Sequence, residues 1–340
     1  MKYRLLGSTG VLVSPVSLGT MTFGGNGHPM WGHLGALDQA AVDELVGTAL
    51  DAGINFIDTA DAYSDGESEE LLGRALGKRR ADVVLATKVH APTGTGPNDL
   101  GLSRLHIMQA LEDSLRRLGT DHIDLYQLHN FDHVTPLEET LRALDDAVRQ
   151  GKVRYIGCAN LAAWQVSQAL GISALHDQAP FVSNQVYYSL LSRDAERDIL
   201  PMALANGLAV TVWSPLAGGF LTGKIDRHAA AAEGRRATMT ADFPPVDREH
   251  AYDVIDVARA VADRHEATVP QVAIAWLLAQ GGVTSVIIGA RTPAQVTANV
   301  AATGLLLTDQ DMAELDQVSK LQPAYPNWIQ AMFAPMRVPA

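Results

Sequence analysis

The chain has a single cysteine, Cys158, in 340 residues. That excludes an intramolecular disulfide and any multi-cysteine metal site. No apolar run approaches the ~18 residues needed to span a membrane. Lys2 and Arg4 stand near the start, but only Leu5 and Leu6 follow before Gly7-Ser8-Thr9-Gly10, so a secretory leader is not expected. Positive charge is scarce, with 26 Lys and Arg against 38 Asp and Glu and a net charge of −12. Such a balance speaks against broad adhesion to nucleic acid or to an anionic membrane. A cytoplasmic, reduced protein is expected, and any anionic ligand must be gathered by a few local cations. Also missing is a G-x-G-x-x-G run after an early strand, which weighs against a doubly wound sheet.

What is present is a core-forming composition, 47% apolar and 19% charged, arranged in an alternating pattern. Short β-branched runs read as strands at Val16–Leu18, Asn55–Ile57, Val83–Thr87, Ile123–Leu128, Val153–Gly157, Val182–Val186, Leu208–Trp213 and Ser285–Ile288. Several are nearly continuous in apolar character, as in parallel strands covered on both faces. Amphipathic helical stripes lie between them, for example Val42, Leu45, Val46, Ala49 and Leu50. Ser103 and Gly119 bracket one helix; Thr135 as N-cap, Pro136, Glu138 and Gly151 bracket another. Eight strand–helix units predict an α/β fold of the (β/α)8 TIM barrel type, with a doubly wound sheet as the alternative. Residues 3–13 are expected to form a hairpin across the N-terminal end of the barrel. A long loop from Ala217 to Asp247 contains Arg235-Arg236, and an extra helix and tail follow Thr308. Residues 1–340 read as one barrel domain.

A TIM barrel carries its chemistry at the C-terminal ends of its strands. The residues just past the predicted strands are Asp58, Lys88, His129, Asn160, Gln185, Ser214 and Gly289, with Tyr63 in the second loop. Taken singly, Asp58 reads equally as a helix cap, Lys88 as a solvated lysine or a Schiff-base nucleophile, and Tyr63 as packing. His129 with His133 makes only a weak metal pair with no third ligand. Together they read as a catalytic set.

These residues also carry a resemblance. Asn55-Phe56-Ile57-Asp58-Thr59-Ala60-Asp61-Ala62-Tyr63, Thr87-Lys88 and Asp124-Leu125-Tyr126-Gln127-Leu128-His129 occur in order. So do Leu18-Gly19-Thr20-Met21-Thr22-Phe23-Gly24-Gly25, Trp213-Ser214-Pro215-Leu216-Ala217-Gly218-Gly219 with Leu221-Thr222-Gly223-Lys224, and Ile288-Gly289-Ala290-Arg291-Thr292-Pro293 with Gln295 and Asn299. The sequence resembles the aldo-keto reductase superfamily, in particular its bacterial branch related to potassium-channel β-subunits. The resemblance implies NADPH-dependent reduction of aldehydes or ketones to alcohols, reversibly, with NADPH/NADP+ as cofactor. It implies Tyr63 as general acid/base, Lys88 and Asp58 as its partners and His129 as the fourth member. The chemistry is consistent: an alkoxide left by hydride delivery needs a proton, and a free phenol with pKa about 10 holds its proton tightly. An adjacent ammonium stabilises the phenolate, and an imidazole N–H can stabilise charge developing on the carbonyl oxygen.

For the cofactor the resemblance implies Asn160 and Gln185 at the nicotinamide amide, Trp213 stacked on its ring, and Ser214, Leu216, Gly218 and Lys224 along the pyrophosphate. Gly289, Arg291, Gln295 and Asn299 are implied at the adenosine end, with Arg291 suited to a 2′-phosphate. Two departures from the family pattern are Cys158-Ala159 before Asn160, where a serine is usual, and Ala298 in place of a glutamate. The pocket wall is expected from Phe23, Met30, Trp31, His90 and Asn130, plus Trp328 of the tail. The expected partner is a small neutral carbonyl, alcohol or polyol, with no nucleic acid, membrane or metal. Oligomeric state is not readable. The alternative function is an NADP-binding sensor subunit with incidental turnover.

Overall fold

In the computed structural model, which describes residues 1–29, 31–225, 227 and 243–337, the chain opens with a hairpin. Its strands are β1 (Arg4–Leu5) and β2 (Leu12–Val13), paired antiparallel. Eight parallel strands then close into a barrel: β3 (Val16–Gly19), β4 (Phe56–Asp58), β5 (Val84–Val89), β6 (Ile123–Leu128), β7 (Val153–Ala159), β8 (Phe181–Tyr187), β9 (Ala209–Trp213) and β10 (Val283–Gly289). Each strand pairs with its sequence neighbour, and β10 returns to β3 through Val286↔Val16 to Gly289↔Gly19. All eight expected strands are present, and closure removes the doubly wound alternative.

The outer ring consists of α1 (Gln39–Asp51), α2 (Glu67–Leu76), α3 (Arg104–Leu118), α4 (Leu137–Arg149), α5 (Ala163–Leu175), α6 (Ile199–Ala205), α7 (Arg248–Arg264), α8 (Val269–Ala279) and α9 (Pro293–Ala301). Helix α10 (Asp309–Ser319) and a tail helix α11 (Asn327–Phe333) follow. The stripe on α1 is the expected one, since Val42, Leu45, Val46, Ala49 and Leu50 are its buried residues. On α3, Ser103 accepts from the His106 amide and Gly119 ends the helix in the left-handed region.

The start of α4 differs from expectation. Pro136 is the N-cap and no side chain caps the helix. The Thr135 hydroxyl instead donates to Asp132 Oδ2 at 2.7 Å, and Glu139 Oε1 accepts from the Arg104 amide at 2.9 Å. With the N-cap one residue later than expected, Thr135 belongs to the turn before the helix, where Asp132 also takes the Val134 amide.

Two apolar regions hold the barrel. The larger fills the space between strands and helices, with Leu18, Leu45, Ile57, Leu85, Leu111, Leu144, Ile156 and Trp276 all buried. The smaller closes the N-terminal end, where Leu6 and Val13 of the hairpin region pack on Phe56, Ala86, Leu125, Val182 and Ala209. Gly7 makes that closure possible. Its φ is +61°, and a Cβ there would lie 2.5 Å from the Val182 carbonyl oxygen. Arg4 fixes the hairpin by donating to the Val283 and Leu278 carbonyls at 2.6 and 2.8 Å. The opposite end is left for side chains at the strand termini. Of the expected loop between Ala217 and Asp247, Arg235 and Arg236 lie outside the described residues, as does Met30.

Candidate active site

The inward side chains at the upper ends of β4, β5, β6 and β8 are polar, because alternation along each strand turns Asp58, Lys88, Gln127 and Gln185 to the barrel axis. Asp58 and Lys88 are buried. Lys88 Nζ donates to Asp58 Oδ2 at 2.5 Å and to the Thr59 carbonyl at 2.8 Å. It lies 3.4 Å from the Tyr63 hydroxyl and 5.1 Å from that ring's centroid. The second oxygen of Asp58 accepts from Gln127 Nε2 at 3.1 Å and Gln185 Nε2 at 2.8 Å. Three donors thus meet the carboxylate and both of its oxygens are bonded, which offsets the cost of removing a charge from water.

Tyr63 is aimed by an unusual turn. Ser64 (φ 51°), Asp65 (φ 55°) and Gly66 (φ 93°) are all left-handed, a conformation costly for residues other than glycine. Surrounding contacts hold it: Ser64 Oγ donates to the Phe23 carbonyl at 2.8 Å, and Glu67 Oε2 accepts from the Gly25 amide at 2.6 Å. His28 Nε2 meets Asp65 Oδ2 at 3.2 Å. Glycine is favoured at Gly66 by its φ of +93°, and a Cβ there would press on the Arg117 side chain at 2.8 Å.

His129 and Trp31 pack edge-on to the Tyr63 ring, with centroids 5.8 and 5.9 Å away. Burial, helped by the Lys88 charge, pushes the His129 imidazole down to about 3, so the ring is neutral near pH 7. Its Nδ1 is buried with no partner. Burial pulls Lys88 down, but Asp58 and Tyr63 outweigh it and hold the ammonium above its ordinary value. That charged amine is not the free nucleophile a Schiff-base mechanism requires. Burial raises the Tyr63 phenol and Lys88 pulls it back only in part, so the net direction is upward. The expectation of a phenol made more acidic by Lys88 is met only as an opposing contribution.

The residues expected at the cofactor divide into three groups. Asn160, left-handed at φ 61°, donates to the His129 carbonyl at 2.9 Å and accepts from Trp213 Nε1 at 3.0 Å. Asn160 and Gln185 are therefore tied into the site by bonds of their own. Trp213 stacks on Tyr187, centroids 4.8 Å apart, and lies near-parallel to Phe243 at 6.2 Å. After β9, Ser214, Ala217, Gly218 and Gly219 all have positive φ, and a turn of this kind can present backbone amides to an anion. The single Leu216 carbonyl accepts from both the Gly219 and the Leu221 amides inside that turn. Lys224 is exposed beyond it. Gly289 ends β10, and Arg291 follows at the N-terminus of α9, where the helix dipole favours negative charge. Gln295 turns its Oε1 onto the Arg291 amide at 2.7 Å, and Asn299 is buried one turn on. Among the described residues neither Lys224 nor Arg291 has an acidic side-chain partner. This set of donors suits a dinucleotide phosphate.

Of the expected pocket residues, Trp31 reaches Tyr63. Phe23 does not reach the pocket: it is fully buried and contributes its carbonyl, because its side chain turns into the strand–helix layer. His90 is half-buried at the end of β5, its imidazole lowered by burial against the pull of Asp132. Trp328 is 47% exposed on α11; that helix is attached through Asn327, which donates to the Arg197 carbonyl at 2.8 Å. No described contact brings Trp328 to the site. Sequence reasoning missed Gln127 and Tyr187, both detectable as large polar residues on the inward parity of β6 and β8.

The family model described as the aldo/keto reductase family matches residues 15–320. The chain is 38% identical to a protein named uncharacterized oxidoreductase YrpG from Bacillus subtilis, over 94% of this chain and 96% of the relative. It is 35% identical to a probable voltage-gated potassium channel subunit beta of Arabidopsis thaliana, covering 96% and 99% of the two chains. It is 35% identical to the versiconal hemiacetal acetate reductase of Aspergillus parasiticus, covering 93% and 96%. A closed parallel barrel with an acid, an ammonium, a phenol and an imidazole at one mouth, matched over this length, leaves one assignment: the chain belongs to the aldo/keto reductase family.

Proposed function

We propose that the protein is an NADP-dependent carbonyl reductase in which Tyr63 donates the proton. The observation that carries this reading is the buried Lys88 ammonium bridging Asp58 at 2.5 Å and the Tyr63 hydroxyl at 3.4 Å, beside a neutral imidazole. When bound, the nicotinamide supplies a hydride to the carbonyl carbon. The remaining work belongs to this chain. The Tyr63 hydroxyl hydrogen-bonds the carbonyl oxygen and passes its proton to the forming alkoxide. Lys88 then faces a phenolate and stabilises it by charge, while Asp58, held by Gln127 and Gln185, keeps the ammonium in place. His129 presents an N–H to the same oxygen. Because burial raises the Tyr63 phenol, it stays protonated through the neutral range, and the Lys88 charge opposes that rise and favours release of the proton.

Lys224, the left-handed turn after β9 and Arg291 at the start of α9 support a dinucleotide carrying an extra phosphate, hence NADPH over NADH. The one ammonium at the described mouth, Lys88, is already neutralised by Asp58, and the rings of Trp31, Tyr63 and His129 lie beside it, which supports a neutral aldehyde or ketone as substrate. Tyr63→Phe is expected to lower kcat by about 10²–10⁴-fold in NADPH oxidation with an aldehyde panel, with NADPH binding kept; a variant retaining most of its rate overturns the assignment of Tyr63. The potassium-channel name of the Arabidopsis relative favours a second reading, a cofactor-sensing subunit. Negligible turnover of the parent across the panel despite tight NADPH binding, with a stable protein partner, would select it.

A further inference from the structure

The loop joining Asp58 to Tyr63 carries a second acid that the chemistry above does not use. Asp61 is 1% exposed. Its amide donates to the carbonyl of Lys88 at 3.2 Å, which ties it to the backbone of the buried lysine. Among the described residues no hydrogen bond of ordinary geometry reaches either carboxyl oxygen, and the pull of the Ala62 amide toward the charged form is outweighed by burial and by Glu69. The cations nearby are already committed. Arg117 Nε donates to Glu69 Oε2 at 2.7 Å, and Lys88 Nζ holds Asp58 Oδ2. Glu69 is itself fully buried, its other oxygen taken by the Thr87 hydroxyl at 2.5 Å. Three acids, Asp58, Asp61 and Glu69, therefore share two cations, and the pairing leaves Asp61 out. A buried carboxylate with no counterion and no donors is strongly disfavoured against its neutral form. The charged and titratable groups that face Asp61 are Glu69 from α2, Arg117 from α3, Lys88 from β5, Tyr126 from β6 and Tyr63 on its own loop.

We propose that Asp61 is kept as an un-ionised carboxylic acid and acts as a positioning residue: while neutral, it leaves the Lys88 ammonium to Asp58 and Tyr63, and its ionisation in alkali competes for that ammonium. Loss of the proton to solvent creates a carboxylate that pulls on Arg117 and on Lys88, each already holding another acid. The ammonium is then drawn from the Tyr63 hydroxyl, and proton delivery weakens. Burial and the Glu69 charge both hold Asp61 well above the ordinary carboxylate range. This rests on the reading that Lys88 and Tyr63 work as a pair.

The test is Asp61→Asn, equal in size and unable to ionise, in the full-length protein. Infrared difference spectra between parent and variant at neutral pH are expected to show the carbonyl stretch of a protonated acid, lost in the variant. The plateau of kcat against pH should extend to higher pH in Asp61→Asn, and its Tm should exceed the parent's by a margin that widens as pH rises. The sign follows from linkage: an acid raised in the native state binds more protons folded than unfolded, so the parent loses stability with increasing pH. Absence of the protonated-acid band overturns the proposal. So does a folded variant losing more than tenfold in kcat at pH 7, or an alkaline limb and a Tm margin that do not move. The infrared band is independent of turnover, so it stands or falls apart from the role of Tyr63.

Discussion

At the scale of the single residue, the site works by withholding water. The Lys88 ammonium is fully buried and the His129 imidazole half-buried, yet burial acts on them with opposite outcomes. Asp58 and Tyr63 keep Lys88 charged, whereas nothing opposes the downward push on His129, and Lys88 adds to it. A neutral imidazole down to about pH 3 predicts that kcat/KM shows no inflection from His129 between pH 5 and 8. An inflection near 6.5 that disappears in His129→Gln would contradict it. Stability should follow the same asymmetry. From about 6.5 down to about 3 the unfolded chain takes up a proton on His129 that the native site refuses, so acidification costs stability in that window. The four groups of the site were legible in the sequence because each stands at a strand end in a distinctive run. Gln127 was not, although it sits in the quoted run before His129, because its role depends on which way a strand faces. Asp61 was hidden for a related reason: its isolation depends on Arg117 from a helix 48 positions after Glu69.

At the scale of the element, caps and turns separate what local sequence decides from what tertiary contacts decide. Ser103 was read correctly as a cap because a serine in extended backbone has its own N3 amide within reach. Thr135 has the same chemistry, but α4 starts one residue later, with Pro136 at the N-cap, and the threonine hydroxyl donates to Asp132 in the preceding turn. Ser103→Ala is therefore expected to cost about 1 kcal/mol in urea unfolding. Thr135→Ala should act instead by loosening the turn after His129, and so should change KM more than the length of α4. The hairpin floor yields a sharper test. With φ +61° and the Val182 oxygen 2.5 Å from a would-be Cβ, Gly7→Ala should destabilise by about 1–3 kcal/mol through strain and overpacking. A lowered urea midpoint with an unchanged m-value would report it. Alternation and turn chemistry made that hairpin readable in advance. The place of α11 was not readable, because a short helix with exposed apolar residues, Trp328, Met332 and Phe333, carries no periodic signal saying where it docks.

At the scale of the whole molecule, the net charge of −12 sets a background against which the unpaired cations stand out. Arg291→Ala is expected to raise the Kd for NADPH by about tenfold or more while leaving that for NADH little changed, since an exposed guanidinium contributes through a phosphate that only one of them has. Equal effects on both, measured by fluorescence titration, would remove Arg291 from that role. Added salt should weaken NADPH binding in the parent more than in the variant.

The seam of the barrel brings a consequence for how the chain reaches its native state. Arg4 donates to Val283 across 279 positions, and β3 finds its second neighbour only in β10. During synthesis, the first strand of the ring must wait with one edge open until nearly the whole chain has left the ribosome. Ring closure and docking of the floor then happen together and late, and the one distant pairing of the ring, β10 with β3, carries the largest loop-closure cost. Chaperone demand for this protein should therefore peak just before β10 emerges, when seven strands are assembled around an open gap.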